Sequence, residues 1–588
     1  MIPRTYISRQ VTTDEVRRWR MICAILFLMS SLVTVATAQK PQAALPRVRI
    51  DTTWNLPTGG TTWSAHTSAQ LSSALASAAP GDIIVLDTGV TYTGNFVVPA
   101  KSNPNSKWIY VTSSAYNKLP TPGSRVSPRD SANMPKIVTP NESQALGFKD
   151  GANYWRFVGI EIYSASTYSP PNYTPGVKVG HALVATFSYP PVKLPDHIVF
   201  DRVYVHGDDT HDVKDGILGN MSYVAVVDSY ISAIHMGGMD TQAFAAWYTP
   251  GPIKLVNNHL EAAGENVFFG NSGGANDPYV PSDIEIRNNY LYKPLSWAKA
   301  GVTLRPHAKW TEKNALEIKS AQRVLFDSNI IENVWAAAQT GTAVLLTVRS
   351  GQSGNIAVVN DITFTNNVLK NVVSGFVGLA VDSTCGTSNP NCTNAGSQDR
   401  WNITNNLIVF YNPSLPGGTG NYGIMFVPGI DHVHNKSGVM RDVVFQHNSM
   451  IPAASTSCWG SVFFSIPRGD KPPWSNITRN IWLLDNVMCN EPTGDGGQQG
   501  TSGLTQYMGT PSAPPYDLTR RFYGDVMYVP SSNKVYTFPA HNYATTVPFT
   551  YVNPPIGDYQ LLTPHWTDTS DGQLAGVNFS QLPTSPGP

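Results

Sequence analysis

The sequence is poor in charged residues and carries no net charge. Charged side chains make up 14% of its 588 residues, and 40 basic residues are balanced by 40 acidic ones. A chain without excess positive charge lacks the field with which proteins attract nucleic acid or an anionic membrane surface. We therefore expect no nucleic-acid partner. The 48 glycines and 45 prolines favour a large β protein with many turns.

Cysteine is scarce as well. There are five cysteines and no C-x-x-C spacing, which argues against a metal site built from cysteines. Cys23 lies near the start of the chain, which leaves Cys385, Cys392, Cys458 and Cys489. These four suit two disulfides in an oxidising compartment, with a connectivity that the sequence does not fix.

Long apolar runs are also missing, apart from Met21–Val35. That run is shorter than the ~20 residues that a membrane span needs. It follows a segment with five arginines and ends in Ala36-Thr37-Ala38, which predicts a secretory signal peptide over residues 1–38. An uncleaved signal anchor is the alternative. We expect a secreted, periplasmic or cell-surface protein without stable membrane insertion.

A short phrase recurs along the chain. In each copy an apolar run ends in Asn or Asp, once in His, and then resumes with an apolar pair. The spacing varies: Asp201 to Asp228 is 27 residues, whereas Asn405 to His447 is 42. A fixed phrase with insertions of variable length is typical of a solenoid. The copies are aligned on Asp201, Asp228, Asn257, Asn288, Asp327, Asn366, Asn405, His447 and Asp485.

Within the phrase, apolar and polar residues alternate with strand period, as Ile284 and Ile286 do with their neighbours. Short strands with turn-forming Asn and Asp at fixed places predict an all-β fold, a right-handed parallel β-helix solenoid. Stacked asparagine side chains inside the turns explain the Asn column.

The chain order predicts how this solenoid is completed. After a linker at 39–60, Leu71 and Leu75 lie at helical spacing, and Pro80-Gly81 ends the pattern. A short helix at this place would cover the open end of the solenoid. We expect the β-helix over residues 61–490 and a turn-rich C-terminal segment, 491–588, that packs on it or caps it.

Each coil carries a second strand after the Asn phrase. Aligning these strands by apolar parity points Leu316, Ile318, Leu346 and Val348 inward. Lys319 and Arg349 then share an outward column on consecutive coils, with Asn271 before them and Asp382 after. Strands lie ~4.8 Å apart, so two adjacent cations are unfavourable unless something anionic lies between them.

The phrase E-x-N-x-x-E-I-K-S-x-x-x-V, from Glu312 to Val324, and the segment TVRSG around Arg349 resemble the catalytic strands of family 6 polysaccharide lyases, the alginate lyase and chondroitinase B group. The resemblance implies Lys319 as the base, Arg349 as the acid, and Glu312 as a ligand of Ca²⁺. The second family glutamate falls on Asn314, whose amide brings no charge. Glu317 could compensate as a ligand, or pair with Lys319.

The chemistry of the column agrees with β-elimination. Taking the proton next to a carboxylate requires a cation to offset the carboxylate charge and a base within reach. Hydrolysis would instead need two carboxyls. The loop 206–216, with its aspartates and histidines, is interpreted as a solvated acidic loop, with a calcium site or hydrolase acids as alternatives.

The sequence therefore predicts a lyase for an acidic, uronate-containing polysaccharide. The alternatives are a β-helix that binds glycan or coats the cell surface without catalysis, and a galacturonan hydrolase. Fold-level analogy does not choose among them. The candidate residues are Lys319 and Arg349 for catalysis, Asn271, Glu265, Arg305 and Asp382 for substrate binding, and Glu312, Asn314 and Glu317 for calcium.

Overall fold

The computed structural model describes residues 40–165, 182–270, 278–298, 310–348, 357–379, 398–410, 422–427, 429–431, 436–438, 440–452, 460–464, 478–489, 493–494, 504–505, 508, 518–529, 537–554, 557–563 and 566–584. Within these ranges no helix has the length and apolar character that crossing a membrane requires.

Three long sheets, each made of parallel strands one coil apart, wind into the predicted right-handed β-helix. Sheet A has 14 strands: Thr62–Ala65, Ile83–Leu86, Ile109–Ser113, Asn153–Val158, Asp196–Asp201, Ser222–Val227, Ile253–Val256, Ser282–Arg287, Ala321–Asp327, Val359–Thr365, Gln398–Thr404, Met440–Gln446, Thr478–Leu484 and Phe522–Tyr523.

Sheets B and C complete each coil. Sheet B has 14 strands: Thr91–Thr93, Lys136–Thr139, Glu161–Ser164, Tyr204–His206, Tyr230–Ile234, His259–Ala262, Tyr290–Tyr292, Ile330–Val334, Val368–Val372, Leu407–Phe410, Ser449–Ile451, Val487–Met488, Val526–Tyr528 and Tyr543–Thr545. Sheet C has 12 strands: Phe96–Val98, Leu146–Phe148, Ala182–Thr186, Asp215–Leu218, Gln242–Ala246, Glu265–Phe269, Leu316–Ile318, Thr342–Thr347, Ser374–Leu379, Tyr422–Val427, Gly460–Phe464 and Thr493–Gly494.

The predicted capping helix is confirmed at Ser68–Ser77. The side chain of Thr67 accepts a hydrogen bond from the Gln70 amide and so caps its first turn. Leu71, Ala74 and Leu75 are buried on the first coil. The helix therefore covers apolar surface that an open solenoid end would expose.

The interior is apolar and stacked by coil. Phe326 and Phe364 lie face to face with ring centroids 4.5 Å apart, and Phe157 and Phe200 are 5.6 Å apart. Such repeated contacts are what a fixed inward position on every coil produces.

A ladder of stacked polar side chains runs inside the turn between sheets A and B. From Asn258 onward, the Oδ1 atom of each ladder residue accepts a hydrogen bond from the backbone N–H one coil earlier, over 2.8 to 3.0 Å, and Ser229 accepts in the same way through Oγ. The asparagine Nδ2 atoms donate to strand carbonyls. We call these residues the asparagine ladder: Ser229, Asn258, Asn289, Asn329, Asn367, Asn406, Asn448, Asn486, Asp525 and Asn542.

The ladder lies one residue later than the predicted alignment in most coils. The aligned residues, such as Asn257 at φ 59° and Asn366 at φ 58°, take the left-handed conformation that turns the chain. Asp201 and Asp327 were aligned one residue early, because they end strands and pair with Val227 and Arg287. A turn here needs a left-handed residue first and an inward side chain next.

The segments before and after the predicted solenoid both contact or extend it. Within the predicted linker, the amides of Ala44 and Arg47 donate to Asp361 and Asp283 on the outer face of sheet A. Past residue 490, the last described strands are Thr493–Gly494 in sheet C, Phe522–Tyr523 in sheet A and Tyr543–Thr545 in sheet B. Two antiparallel hairpins join Gly429–Asp431 to Lys436–Gly438 and Thr550–Asn553 to Asp558–Thr563, and a short helix spans Leu518–Arg521.

Candidate active site on the outer face of sheet C

The outer face of sheet C carries buried polar and charged side chains on neighbouring coils. Asp215 pairs with Gln242, which pairs with Glu265 in the strand register. Burial raises the pKa of Glu265 above its ordinary value, and raises that of Asp215 in the same way although Lys214 lies 3.2 Å away. Buried ionisable groups of this kind concentrate at functional sites.

Lys313 lies at the centre of this face. Its Nζ atom is 2.5 Å from Glu265 Oε1, 2.8 Å from Asp240 Oδ2 and 3.8 Å from Glu317 Oε2. Burial alone would lower the pKa of Lys313, but the carboxylates of Glu265, Asp240 and Glu317 raise it above its ordinary value. The ammonium is therefore held in its charged form.

Two amides complete the group. The Nε2 atom of Gln242 donates to Glu265 Oε2 over 2.6 Å, and the Nδ2 atom of Asn314 donates to Glu317 Oε2 over 3.2 Å. With Lys319, these residues form what we call the lysine–carboxylate network: Asp240, Gln242, Glu265, Lys313, Asn314, Glu317 and Lys319.

Besides the half-exposed Asp240, Lys319 is the network member at the edge of solvent. Its side chain is 20% exposed, its Nζ atom is 3.5 Å from Glu317 Oε1, and the same atom lies 4.7 Å from the ring centroid of Phe268. The predicted outward direction agrees with this placement, since Leu316 and Ile318 on either side of Glu317 are buried in the core. Lys319 therefore offers a cation on an aromatic surface.

The strand register differs from the predicted column. Leu316 pairs with Val344 and Ile318 with Leu346, which places Thr347 beside Lys319. On the other side, Ile318 pairs with Phe269, which brings Gly270 next to Lys319. The predicted alignment placed Arg349, two residues after Thr347, beside Lys319. The two registers were not distinguished because inward and outward side chains alternate with a period of two residues. Arg349, Asn271, Arg305 and Asp382 lie outside the described residues.

The three predicted calcium ligands do not form one set. Asn314 turns its amide nitrogen, not its oxygen, toward Glu317. The Glu317 carboxylate already faces the ammonium groups of Lys313 and Lys319. Calcium prefers several oxygen ligands around one point, and here lysines hold that place. Glu265, a predicted substrate-binding residue, is 1% exposed and braces Lys313 instead of facing solvent.

Glu312 lies near a second buried lysine, Lys293, whose charge opposes the rise that burial causes in the pKa of Glu312. The two side chains form no ion pair among the described residues. Lys293 Nζ donates to the carbonyls of Ala262, Ala263 and Gly264. Burial lowers the pKa of Lys293 to about 7, although Glu265 and Glu312 oppose this. Burial also raises the pKa of Glu312 to about 7, and its Oε1 atom has no hydrogen-bond partner among the described residues.

A row of aromatic side chains extends the face from Lys319 toward earlier coils. Ring centroids are 6.1 Å apart for Phe268 and Trp247, 6.5 Å for Trp247 and Tyr189, 5.7 Å for Tyr189 and Tyr248, and 5.1 Å for Tyr248 and Tyr279. Tyr189 is 49% exposed. We call these five residues the aromatic row, and such rings provide flat surfaces for stacking.

In the acidic loop 206–216, the exposed residues 208–210 agree with the interpretation as a solvated loop, whereas Asp215 is buried on sheet C. Asp208 Oδ1 accepts from the amides of Thr210 and His211, and Oδ2 faces His211 Nδ1 at 2.7 Å. Although burial would raise it, these contacts hold the pKa of Asp208 below its usual range. The loop thus satisfies its own carboxylate. In the described part of the chain, the group that could hold a metal lies elsewhere, at His447, Asp485 and Asp571.

Lys313, Lys293 and the convergence of Asp240 on this face were not predicted. The sequence did contain one signal for this arrangement: Lys313 lies between the predicted calcium ligands Glu312 and Asn314. A calcium site seldom places a cation between its ligands. Of the cysteines, only Cys489 lies among the described residues, so the disulfide prediction stays a prediction.

No family model and no curated protein matches the sequence. Similar solved structures include a family 6 alginate lyase, at 12% identity over 89% of this chain and 58% of that chain, with a TM-score of 0.37. They also include a pectate lyase, at 15% identity over 68% and 78%, TM-score 0.35. A third is the catalytic unit of an α-1,3-glucanase from Streptomyces thermodiastaticus, at 11% identity over 84% and 70%, TM-score 0.41. Likeness at this level of identity concerns the fold and not the reaction.

Proposed function

We propose that this protein acts outside the cytoplasm and cleaves an acidic, uronate-containing polysaccharide by β-elimination, with Lys319 as the base. The observation that carries the proposal is the position of Lys319. Lys319 reaches solvent at one end of a largely buried charged network, next to a row of aromatic rings.

The reaction fits the groups at this edge. Lys319 in its amine form would take the proton next to the uronate carboxylate, the bond to the leaving oxygen would break, and a carbon–carbon double bond would form. Positive charge near the substrate carboxylate favours this step. Arg349 remains the candidate acid for the leaving oxygen, and Asn271, Arg305 and Asp382 remain candidate binding residues, all on the resemblance.

Hydrolysis has less support at this site. An inverting or retaining hydrolase needs two carboxyls that reach the scissile bond. Glu265 and Glu317 are 1% and 2% exposed and are engaged by Lys313 and by amides. Asp240 is more exposed but is paired with the same lysine. No calcium step is included, because the Glu317 carboxylate of the predicted ligand set faces the ammonium groups of Lys313 and Lys319.

Glycan binding without cleavage is the second candidate, and the aromatic row favours it. Sugars stack on exposed aromatic rings, and Tyr189 presents such a ring. On this reading Lys319 and Lys214, which lies 5.5 Å from the Trp247 ring, would attract an acidic polymer without reacting.

A screen of alginate, pectate and dermatan for the ultraviolet absorbance of an unsaturated product tests the proposal. With the polymer that responds, Lys319→Ala should lower turnover by roughly 10²–10⁴-fold. Lys319→Arg should lose turnover equally but keep polymer affinity, because it keeps the charge and loses only the base. Melting temperatures should be unchanged.

The matched control is Lys370→Ala, which removes a half-exposed lysine paired with Glu332 on sheet B. It should keep full turnover. Retention on a polymer without absorbance would favour the binding protein, new reducing ends without absorbance would favour a hydrolase, and full activity of Lys319→Ala would refute the role of that lysine.

A further inference from the structure

The left-handed residues of the turns between sheets A and B form a column on the outside of the solenoid. We call it the outer turn column: Asp228, Asn257, Asn288, Ser328, Asn366, Asn405, His447 and Asp485. Asn405 donates from Nδ2 to Asn366 Oδ1 over 2.7 Å, so amides link these two coils. On the next two coils the column carries His447 and Asp485, which offer a ring nitrogen and a carboxylate instead.

The C-terminal segment 566–584 lies along this part of the column. The backbone N–H of Ser570 donates to Asp485 Oδ1 over 2.7 Å. The Nδ1 atom of His447 lies 3.2 Å from the carbonyl oxygen of Gly576. A carbonyl oxygen only accepts, so Nδ1 carries a proton, and Nε2 is the nitrogen that remains available as a ligand.

Two carboxylates converge on that nitrogen. His447 Nε2 is 3.0 Å from Asp571 Oδ2 and 3.7 Å from Asp485 Oδ2, and the ligand atoms of the three residues all lie within 4.8 Å of one another. In a tetrahedral zinc site, with zinc–ligand distances of about 2.0–2.2 Å, neighbouring ligand atoms are about 3.3–3.6 Å apart. The three side chains therefore surround a point that one small cation can fill.

The surroundings of Asp485 require positive charge. Its side chain is fully buried, and in the described part of the chain His447 is the cationic type of side chain that faces it. Gln446 and the hydroxyl of Ser570 donate to Asp485 Oδ2, as the neighbours of a ligating carboxylate do, but neither carries charge. A histidine protonated on Nδ1 alone carries none either. Burying a carboxylate without a compensating charge is strongly unfavourable.

A cavity of about 430 Å³ opens beside the imidazole, between the outer turn column and the C-terminal segment. Its lining includes polar side chains from both: Asn405, His447, Gln573 and Asn578. The cavity gives water and an exchanging ion a path to His447. A metal site needs such a path in addition to its ligands.

We infer that His447, Asp485 and Asp571 form a zinc site that holds the C-terminal segment on the outer turn column. One imidazole nitrogen and two carboxylate oxygens are ligands that zinc accepts, with water in the fourth position. Calcium prefers six to eight oxygens, and the histidine supplies none. The site lies on the turns between sheets A and B, away from sheet C, so the inference is independent of the proposed lyase reaction.

Calorimetric titration of the full chain with zinc chloride, after treatment with EDTA and dialysis, tests the inference. The wild type should bind one ion, and its melting temperature should rise with zinc because the folded state binds the ion. His447→Asn places in this turn the residue that Asn405 provides one coil earlier, and it should weaken zinc binding by at least about 100-fold. Asp571→Asn, at a carboxylate that is 35% exposed, should weaken it as much. Zinc should slow proteolysis within 566–584 in the wild type alone.

His541→Asn is the matched control. His541 also pairs with a carboxylate close to the C-terminal segment, but with a single one, that of Asp568 at 3.1 Å. This variant should bind zinc as the wild type does. The inference is overturned if the wild type binds no zinc, in which case a doubly protonated His447 offsets the carboxylates. It is also overturned if calcium binds and zinc does not, if Asp571→Asn binds zinc like the wild type, or if bound zinc leaves proteolysis of the segment unchanged. Asp571→Asn decides the matter if His447→Asn does not fold.

Discussion

The asparagine ladder and the lysine–carboxylate network are two buried polar regions of the same β-helix. The ladder repeats on every coil from Ser229 to Asn542, carries almost no charge, and satisfies backbone groups over 2.8 to 3.0 Å. In the part of the chain that the structure describes, the network occurs once, joins residues of three coils, and consists mainly of charges.

The difference separates what stacks a solenoid from what a solenoid can carry. A repeated amide satisfies a donor and an acceptor on each neighbour, so it can be copied from coil to coil. A buried lysine among carboxylates depends on the exact number of charges around it, and adding another copy would unbalance it. Polar residues that repeat on every coil therefore indicate the scaffold, and polar residues that interrupt this repeat indicate the candidate active site.

The largest effect on stability should come from interrupting the ladder. Asn367→Ala removes the acceptor of the Asn329 amide and the donor to the Phe326 carbonyl. Leaving buried backbone groups without partners should lower the free energy of unfolding by about 2–4 kcal/mol. Urea denaturation, with hydrogen exchange of the neighbouring coils, measures this.

The adjacent residue provides the control. Asn366 has a φ of 58° and makes its hydrogen bonds on the outside of the turn. Asn366→Gly keeps the left-handed conformation available and should change stability by less than about 1 kcal/mol. Equal losses in the two variants would show that the inner ladder is no more important than the outer turn.

A smaller effect is expected where a buried charge lacks a partner. Burial raises the folded-state pKa of Glu312 from 4.5 to about 7, so the folded protein binds a proton that the unfolded chain releases. Stability from this group is present below pH 4.5 and is lost as pH rises through 7. Glu312→Gln should remove that loss and exceed the wild type by up to roughly 3 kcal/mol above pH 7.

Melting curves of the wild type and Glu312→Gln between pH 4 and 8 test this prediction. The difference between their melting temperatures should grow with pH. The exposed Glu142→Gln serves as the control and should follow the wild type throughout. A constant difference for Glu312→Gln would mean that the Glu312 carboxyl is ionised with little penalty, in which case Lys293 neutralises it as fully as Lys313 does its own carboxylates.

The sequence predicted the repeated β-helix scaffold better than it predicted the lysine–carboxylate network. Alternation and recurring asparagines indicated a parallel β-helix, and the inward positions of Leu316, Ile318, Leu346 and Val348 are confirmed by their burial. The periodic pattern predicts the face of a strand but not its partner on the next coil, since a shift of two residues preserves every inward position. For this reason the predicted Lys319 and Arg349 column missed the observed register.

The network could not be predicted from local pattern. Lys313 contacts Glu265, 48 residues earlier, and Asp240, 73 residues earlier. At the start of the strand Leu316–Ile318, the consecutive residues Ala315 and Leu316 both face the core. This breaks the alternation of inward and outward side chains and places Asn314 on the outer face. The spacing between coils varies as well, so nothing in the sequence places these carboxylates on one lysine.

The smallest effect should come from a charged pair on the outer face of sheet A, where such pairs repeat like the ladder. Arg441 makes a bidentate pair with Asp399 over 2.7 and 2.8 Å, and its side chain is 51% exposed whereas that of Asp399 is 4% exposed. Because the arginine is in solvent, the pair contributes little, and Arg441→Ala should lower the free energy of unfolding by about 1 kcal/mol. The loss should shrink further as salt is raised, because ions screen the interaction. Urea denaturation at low and high sodium chloride measures both.

Arg156, which is buried against Asp201 at 2.6 Å, supplies the contrast. Arg156→Ala should lower the free energy of unfolding much more than Arg441→Ala, and this loss should be nearly independent of salt. A loss for Arg441→Ala as large as that for Asn367→Ala would mean that repetition alone, and not burial, decides which polar groups hold the coils together.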